Sequence, residues 1–126
     1  MNYVTAINGL IGVSGGLSVF IGFESATTLI ALSFPDILNE DNGEGYQRPY
    51  NRAHSLDFKN YITRPSSSTP PLTFNLRNEY SSSWSIERGK GNAATLIIRD
   101  NVKCLAQVDC QHRLGELTGV DIQFAF

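Results

Sequence analysis

The stretch VDCQHRLGEL, residues 108 to 117, gathers the side chains of this chain best suited to chemistry. Asp109, Cys110, Gln111, His112 and Arg113 follow one another at what the pattern reads as the start of a helix. A helix start carries roughly half a positive charge on its unpaired N–H groups, so cations there are disfavoured. Two explanations fit. Asp109 and Arg113 can pair at i and i+4 and cancel the cost, which leaves His112 unexplained. Alternatively, an anion such as phosphate sits at the helix start, bonded by backbone N–H groups and by His112 and Arg113, with Asp109 orienting the arginine. Hydrolysis in addition needs a general base or a metal-holding acid, and only Asp109 and Glu116 lie near in sequence. Cys110 reads as a small inert residue, although a thiol beside His112 and Arg113 is placed to ionise readily.

The element that delivers these residues is an expected strand. Val102, Cys104, Ala106 and Val108 alternate with Lys103, Leu105 and Gln107, which predicts one buried face. Ile97 and Ile98 precede Asp100-Asn101, a pair that tolerates positive φ, so residues 94–108 are expected to form an antiparallel hairpin. A helix from Cys110 to about Thr118 follows, with Gly119 as its left-handed end. VDIQFAF then reads as the beginning of another strand.

Upstream, residues 4–16 are Gly-rich and apolar and lack the Gly-Lys-Ser/Thr of a Walker A loop, so they read as a strand or a loop leading into a strand at about 17–24. The apolar run TTLIALSF ends at Pro35, and SFPDILNE reads as a short helix with proline near its first turn. NEDNGEG is a polar turn. A helix of about 52–63 is expected, capped by Asn51 or Ser55, with Phe58, Tyr61 and Ile62 as its buried stripe and Pro65 beyond its end. SSSTPP reads as a linker and LTFNLR as a strand. NEYSSSWSIERGKGN reads as a long polar loop, in which Tyr80 and Trp84 could stack on a base.

At 126 residues the chain fits one domain, and its 41% hydrophobic content is ordinary. The formal net charge of −2 gives no whole-chain argument for nucleic acid or membrane. Its distribution says more. All ten basic residues fall between Arg48 and Arg113, where five acids leave a net +5. A basic middle suits a phosphate-bearing partner, and equally a set of solvated loops. Two cysteines make no disulfide framework, no basic leader opens the chain, and the most apolar stretch is interrupted by Glu24 and hydroxyl residues. These features predict a cytoplasmic protein that does not cross a membrane. With two histidines far apart and no visible nucleophile triad, neither a His/Cys metal site nor nucleophilic catalysis is indicated.

VDCQHRLGEL resembles the Asp-Gly-Gln-His-Arg signature of the DGQHR-domain family, whose members include regulators from bacterial DNA phosphorothioation and related DNA-modification systems. The wider similarity is to the ParB/sulfiredoxin-like fold, an α/β (α+β) mixed sheet with a phosphate-binding motif at a strand-to-helix junction. The resemblance covers about residues 46–118. Its order of elements reads YQRPYNR, AHSLDFKNYI, PPLTFNLR, ATLIIRDNVKCLAQV and DCQHRLGEL. It implies that Gln47, Arg48 and Arg52 face the same pocket as Asp109, Cys110, Gln111, His112 and Arg113. It further implies a nucleotide or DNA phosphate as ligand, and a role in bacterial or phage DNA modification, defence or its transcriptional regulation. A nucleoside triphosphatase or nuclease using the same motif, and an inactive structural partner, are the alternatives. No cofactor is dictated, and the one compatible with the motif is a nucleoside triphosphate with Mg²⁺. Implied protein partners are a second copy or components of a DNA-modification system. Cys110 replaces the signature's glycine, and family members usually continue well past this helix, so the resemblance implies a member shortened at its C-terminus.

Overall fold

A computed structural model describes residues 3–35, 51–108, 111–118 and 122–126, with Gln111 and His112 described in their backbone only. The elements run β1 (Val4–Ser14), β2 (Leu17–Ser25), α1 (Ala26–Leu32), β3 (Ser33–Pro35), α2 (Arg52–Ile62), β4 (Thr73–Leu76), a 3₁₀ turn (Asn78–Tyr80), β5 (Trp84–Arg88), β6 (Ala93–Arg99), β7 (Leu105–Val108), α3 (Gln111–Leu114) and β8 (Gln123–Ala125). The fold is mixed α+β. One antiparallel sheet has the order β5-β6-β1-β2-β8, and a second has the order β3-β7-β4 with β3 parallel to β7.

The Gly-rich opening is a long hairpin. Gly15 and Gly16 sit at φ 58° and 79° between the paired residues Ser14 and Leu17. Two consecutive left-handed residues match the twist of the flanking strands, and glycine adopts them without steric cost. Gly9 stands opposite Gly22, and a Cβ at Gly9 would lie 2.1 Å from the Ile21 carbonyl oxygen and 2.6 Å from the Phe20 ring. The missing side chain lets that ring lie across the strand pair. Glycine here is a packing requirement in the middle of a sheet.

TTLIALSF divides where its polar caps allow. Ser25 caps α1, its Oγ accepting from the Thr28 N–H at 3.2 Å, and Ala26, Leu29 and Leu32 form the buried stripe. Ser33–Pro35 is then a strand on β7, where SFPDILNE was expected to open a helix; residues 36–40 lie outside the described residues. The Ser33 backbone is extended and its Oγ donates to the Leu29 carbonyl, so the end of α1 is satisfied locally. Proline is tolerated at Pro35 because it stands at the end of an edge strand.

The expected hairpin of residues 94–108 divides between the two sheets. Asp100 and Asn101 adopt φ 57° and 49°, as the turn reading requires. The chain nevertheless cannot fold back onto β6, because β1 and β5 already occupy both edges of that strand. It crosses instead into the second sheet, where β7 lies between β3 and β4. Leu105, Ala106 and Gln107 are all buried there, so both faces of β7 are covered and the expected alternation of inside and outside is lost. NEYSSSWSIERGKGN likewise contains β5, paired along its length with β6. Its serines hid a strand whose apolar residues, Trp84 and Ile86, pack on the core.

Two hydrophobic clusters fill the interior. One holds Ile7, Leu96, Ile98, Leu32, Cys104 and Leu105 between the sheets. The other joins Ala26, Leu29, Leu72, Leu114, Leu117 and Phe124, with Phe58 and Ile62 of α2 packed against it. Phe58 and Ile62 thus do what their spacing predicts, whereas Tyr61 is exposed.

Gly9→Ala is expected to lower stability by about 1–3 kcal/mol, the usual cost of overpacking. Gly89→Ala, whose added Cβ would meet nothing closer than 3.4 Å, serves as the control and should be near neutral. Chemical denaturation of both variants measures the difference.

Candidate functional site

β7 ends at Val108 and α3 runs from Gln111 to Leu114, so a strand precedes a helix that carries Gln111, His112 and Arg113. The described helix is shorter than the expected span of 110–118: it runs over four residues and ends at Leu114. The chain then turns so that Leu114 and Leu117 both enter the core, with the Leu117 N–H on the Leu114 carbonyl. One turn has little macrodipole, so the expected penalty for a cation at its start is small.

Asp109, Cys110, Gln47 and Arg48 lie outside the described residues, as do the side chains of Gln111 and His112. Arg113 and Arg52 are described. The Arg113 Nη1 donates to the Thr69 Oγ1 at 3.1 Å and to the Pro70 carbonyl at 2.6 Å. Nothing in the sequence pointed to Thr69 or Pro70, because SSSTPP reads as a linker. The segment is instead tied down at several points. Tyr61 donates its hydroxyl to the Ser68 carbonyl and accepts from the Ser68 N–H, and Ser67 donates to the Ile62 carbonyl. Leu72, buried, closes the segment with an N–H bond to the Ala125 carbonyl.

Arg52 opens α2, directly after the cap Asn51, whose Oδ1 accepts from the Ala53 and His54 N–H groups. Its Nε lies 2.9 Å from the Glu116 carboxylate. Arg52 and Glu116, 64 residues apart, thus meet at the surface. The Arg52 side chain is 69% exposed, so this contact fixes geometry more than it contributes stability. Asn51 caps α2 as expected; Ser55 lies inside the helix, and its buried Oγ has no hydrogen-bond partner among the described residues.

Trp84 is not a free stacking platform. It lies in β5, half-buried against the core, and its Nε1 donates to the Arg77 carbonyl at 3.0 Å. Among the described residues, no three His, Cys, Asp or Glu side chains gather as a metal site would require. No described helix is long and apolar enough to cross a membrane. The chain matches no family model, no curated protein and no solved structure.

Cys104 is fully buried next to the start of β7, and this burial pushes its thiol pKa up. The raised value stabilises the fold below the ordinary thiol range and ceases to do so as pH rises through it, because the unfolded thiol ionises first. In a Cys110→Ser background, Cys104 should therefore resist alkylation at neutral pH until denaturant is added. Mass spectrometry after a thiol-reagent pulse measures this; rapid labelling of the native protein would contradict it.

Proposed function

We propose that the chain is a phosphate-binding module for a nucleotide or DNA, with Arg113 and Arg52 flanking the ligand and His112, Gln111, Asp109, Cys110, Arg48 and Gln47 completing the site. The observation that carries this reading is the meeting of Arg52 with Glu116, which sets an arginine of the upstream segment beside the helix that bears His112 and Arg113. A phosphate offers charge-assisted acceptors for both guanidinium groups, each such bond being worth about 1.5–3 kcal/mol. The ParB/sulfiredoxin-like arrangement belongs to the same proposal, and the strand-to-helix position of the signature supports it. The biological setting proposed is bacterial or phage DNA modification, defence or its regulation, in the cytoplasm. If the site also hydrolyses its ligand, Asp109 is the residue positioned in sequence to act as base, with Mg²⁺ carried by a nucleoside triphosphate.

A second reading has its own observation. Arg113 already donates to Thr69 and Pro70, as a structural arginine that holds the 65–72 segment would. One experiment separates the two. Arg113→Ala should weaken binding of ATP or of a short DNA duplex at least ~tenfold, and the wild-type affinity should fall as salt rises. The melting temperature without ligand should change little. A strong loss of apo stability with unchanged affinity would instead make Arg113 a structural strut. Cys110→Gly should keep or increase affinity, since glycine has the widest backbone freedom for close approach to a phosphate. Calorimetric titration and thermal melts of the three proteins, with and without Mg²⁺, provide the readouts.

A further inference from the structure

Among the described residues, only one face of the five-stranded sheet is buried. Ile7, Leu96 and Ile98 point inward, whereas the pairing register places Val4, Leu10, Leu17, Val19, Ile21 and Phe23 together on the other side. Each is exposed, from 39% for Val19 to 71% for Leu17. Ala6, Ile97 and Ala125 share that face by the same register. Residues 3–23 contain no Asp, Glu, Lys or Arg, so no charge interrupts the patch along β1 and β2.

On the ~150–250 Å² scale of a large side chain, these six residues expose roughly 600 Å² of apolar surface. That is at the top of what a monomer ordinarily leaves in water. Polar groups border it on the β5–β6 side, where Thr95 donates to Asn8 and where Glu87 and Arg99 stand on the same face. An apolar centre with a polar rim is the anatomy of an interface.

We propose that this face is the interface of a homodimer, in which two copies stack the outer faces of β1 and β2 across a two-fold axis. The area argues for a second copy as the occupant. Two such faces together bury about 1,200 Å² or more, which reaches the size of a specific interface. The outer faces of β1 and β2 carry no charge, since Glu24 stands on the inner face, and this removes the repulsion that a two-fold axis otherwise creates when like meets like. Gly12, beside Val19, offers a hollow in which an added Cβ would meet nothing within 4 Å, so a large side chain of the second copy can seat there. Stacked sheets lie about 10 Å apart with side chains interleaved, a spacing that leucine, isoleucine and phenylalanine fill.

β2 offers a different route to association, by strand pairing at its edge. β8 covers only Phe23–Ser25 of β2, with Phe126 bonded to Gly22, so Ser18 and Phe20 have no neighbouring strand on that side among the described residues. The experiment must tell the two modes apart. Sedimentation of the full chain across the micromolar range should show a dimer. Ile21→Lys and Leu17→Lys, both on the outer face, should each raise the dissociation constant at least ~tenfold. Circular dichroism and melting temperature check that each variant is folded, and Leu17, at the tip of the hairpin, is the safer of the two. Ser18→Pro, which removes an edge N–H while leaving the face intact, should leave the dimer unchanged. A wild-type monomer throughout the range overturns the proposal, as does a dimer indifferent to both lysine variants or one abolished by Ser18→Pro alone.

Discussion

The ring of Phe126 holds the two hydrophobic clusters together. It packs against both, with centroids 6.1 Å from Phe20 on β2 and 5.9 Å from Phe74 on β4. Its backbone is fixed as firmly as its ring, for its N–H and C=O exchange bonds of 2.9 and 3.0 Å with Gly22. A Cβ at Gly22 would lie 3.2 Å from the Phe20 ring and 3.3 Å from Ile7, so the glycine keeps the strand close enough for both contacts. Edge-to-face rings of this kind add to the area they bury, and they fix direction as well as contact. The angle between the sheets, and with it the position of β7, depends on this junction.

A polar seam completes the join beneath the second sheet. Gln107 is buried on β7, where an unpaired amide would be costly, and its Nε2 donates to the Ser33 Oγ at 2.9 Å. Ser33 in turn donates to the Leu29 carbonyl. Lys103 reaches the end of α1 and donates to the Ile30 and Ala31 carbonyls at 3.0 and 3.2 Å. A cation there meets the negative end of the helix, a more favourable place for positive charge than the start of α3. These bonds lock the parallel pairing of β3 with β7, and hence the line along which β7 leads into the signature.

Legibility in the sequence followed the range of the interactions that decide each element. α2 was readable because its cap, its stripe and its stop lie within one stretch, and the strand character of LTFNLR and of the chain end follows from local alternation. The Asp100-Asn101 turn was readable for the same reason, since positive φ is a property of two residues. The partner of β7 was not, because it depends on β5 and β1 having taken both edges of β6, and no local pattern records that. β5 was hidden by its serines, and the segment 65–72 looked like a linker because its restraints come from Tyr61 and Arg113. Of the candidate site, the strand-to-helix setting was legible and the length of α3 was not. Leu114 and Leu117 turn into the core at a spacing that suits a continuing helix equally well.

The arginine-bearing side of α2 and α3 and the apolar outer face of β1 and β2 lie on opposite sides of the five-stranded sheet. Phe124 stands opposite Glu24, on the inner face that also carries Phe20 and Gly22, and it packs with Leu114, Leu117 and Phe58. α2 and α3 therefore ride on the inner face at its β8 edge, and Arg52 and Arg113 go with them. Every outward residue of β1 and β2 points the other way. The uncharged outer face of β1 and β2 and the two arginines, Arg52 and Arg113, thus lie on different sides of one sheet, because side chains alternate along a strand. A second copy stacked on the outer face would leave both arginine sites open and facing apart.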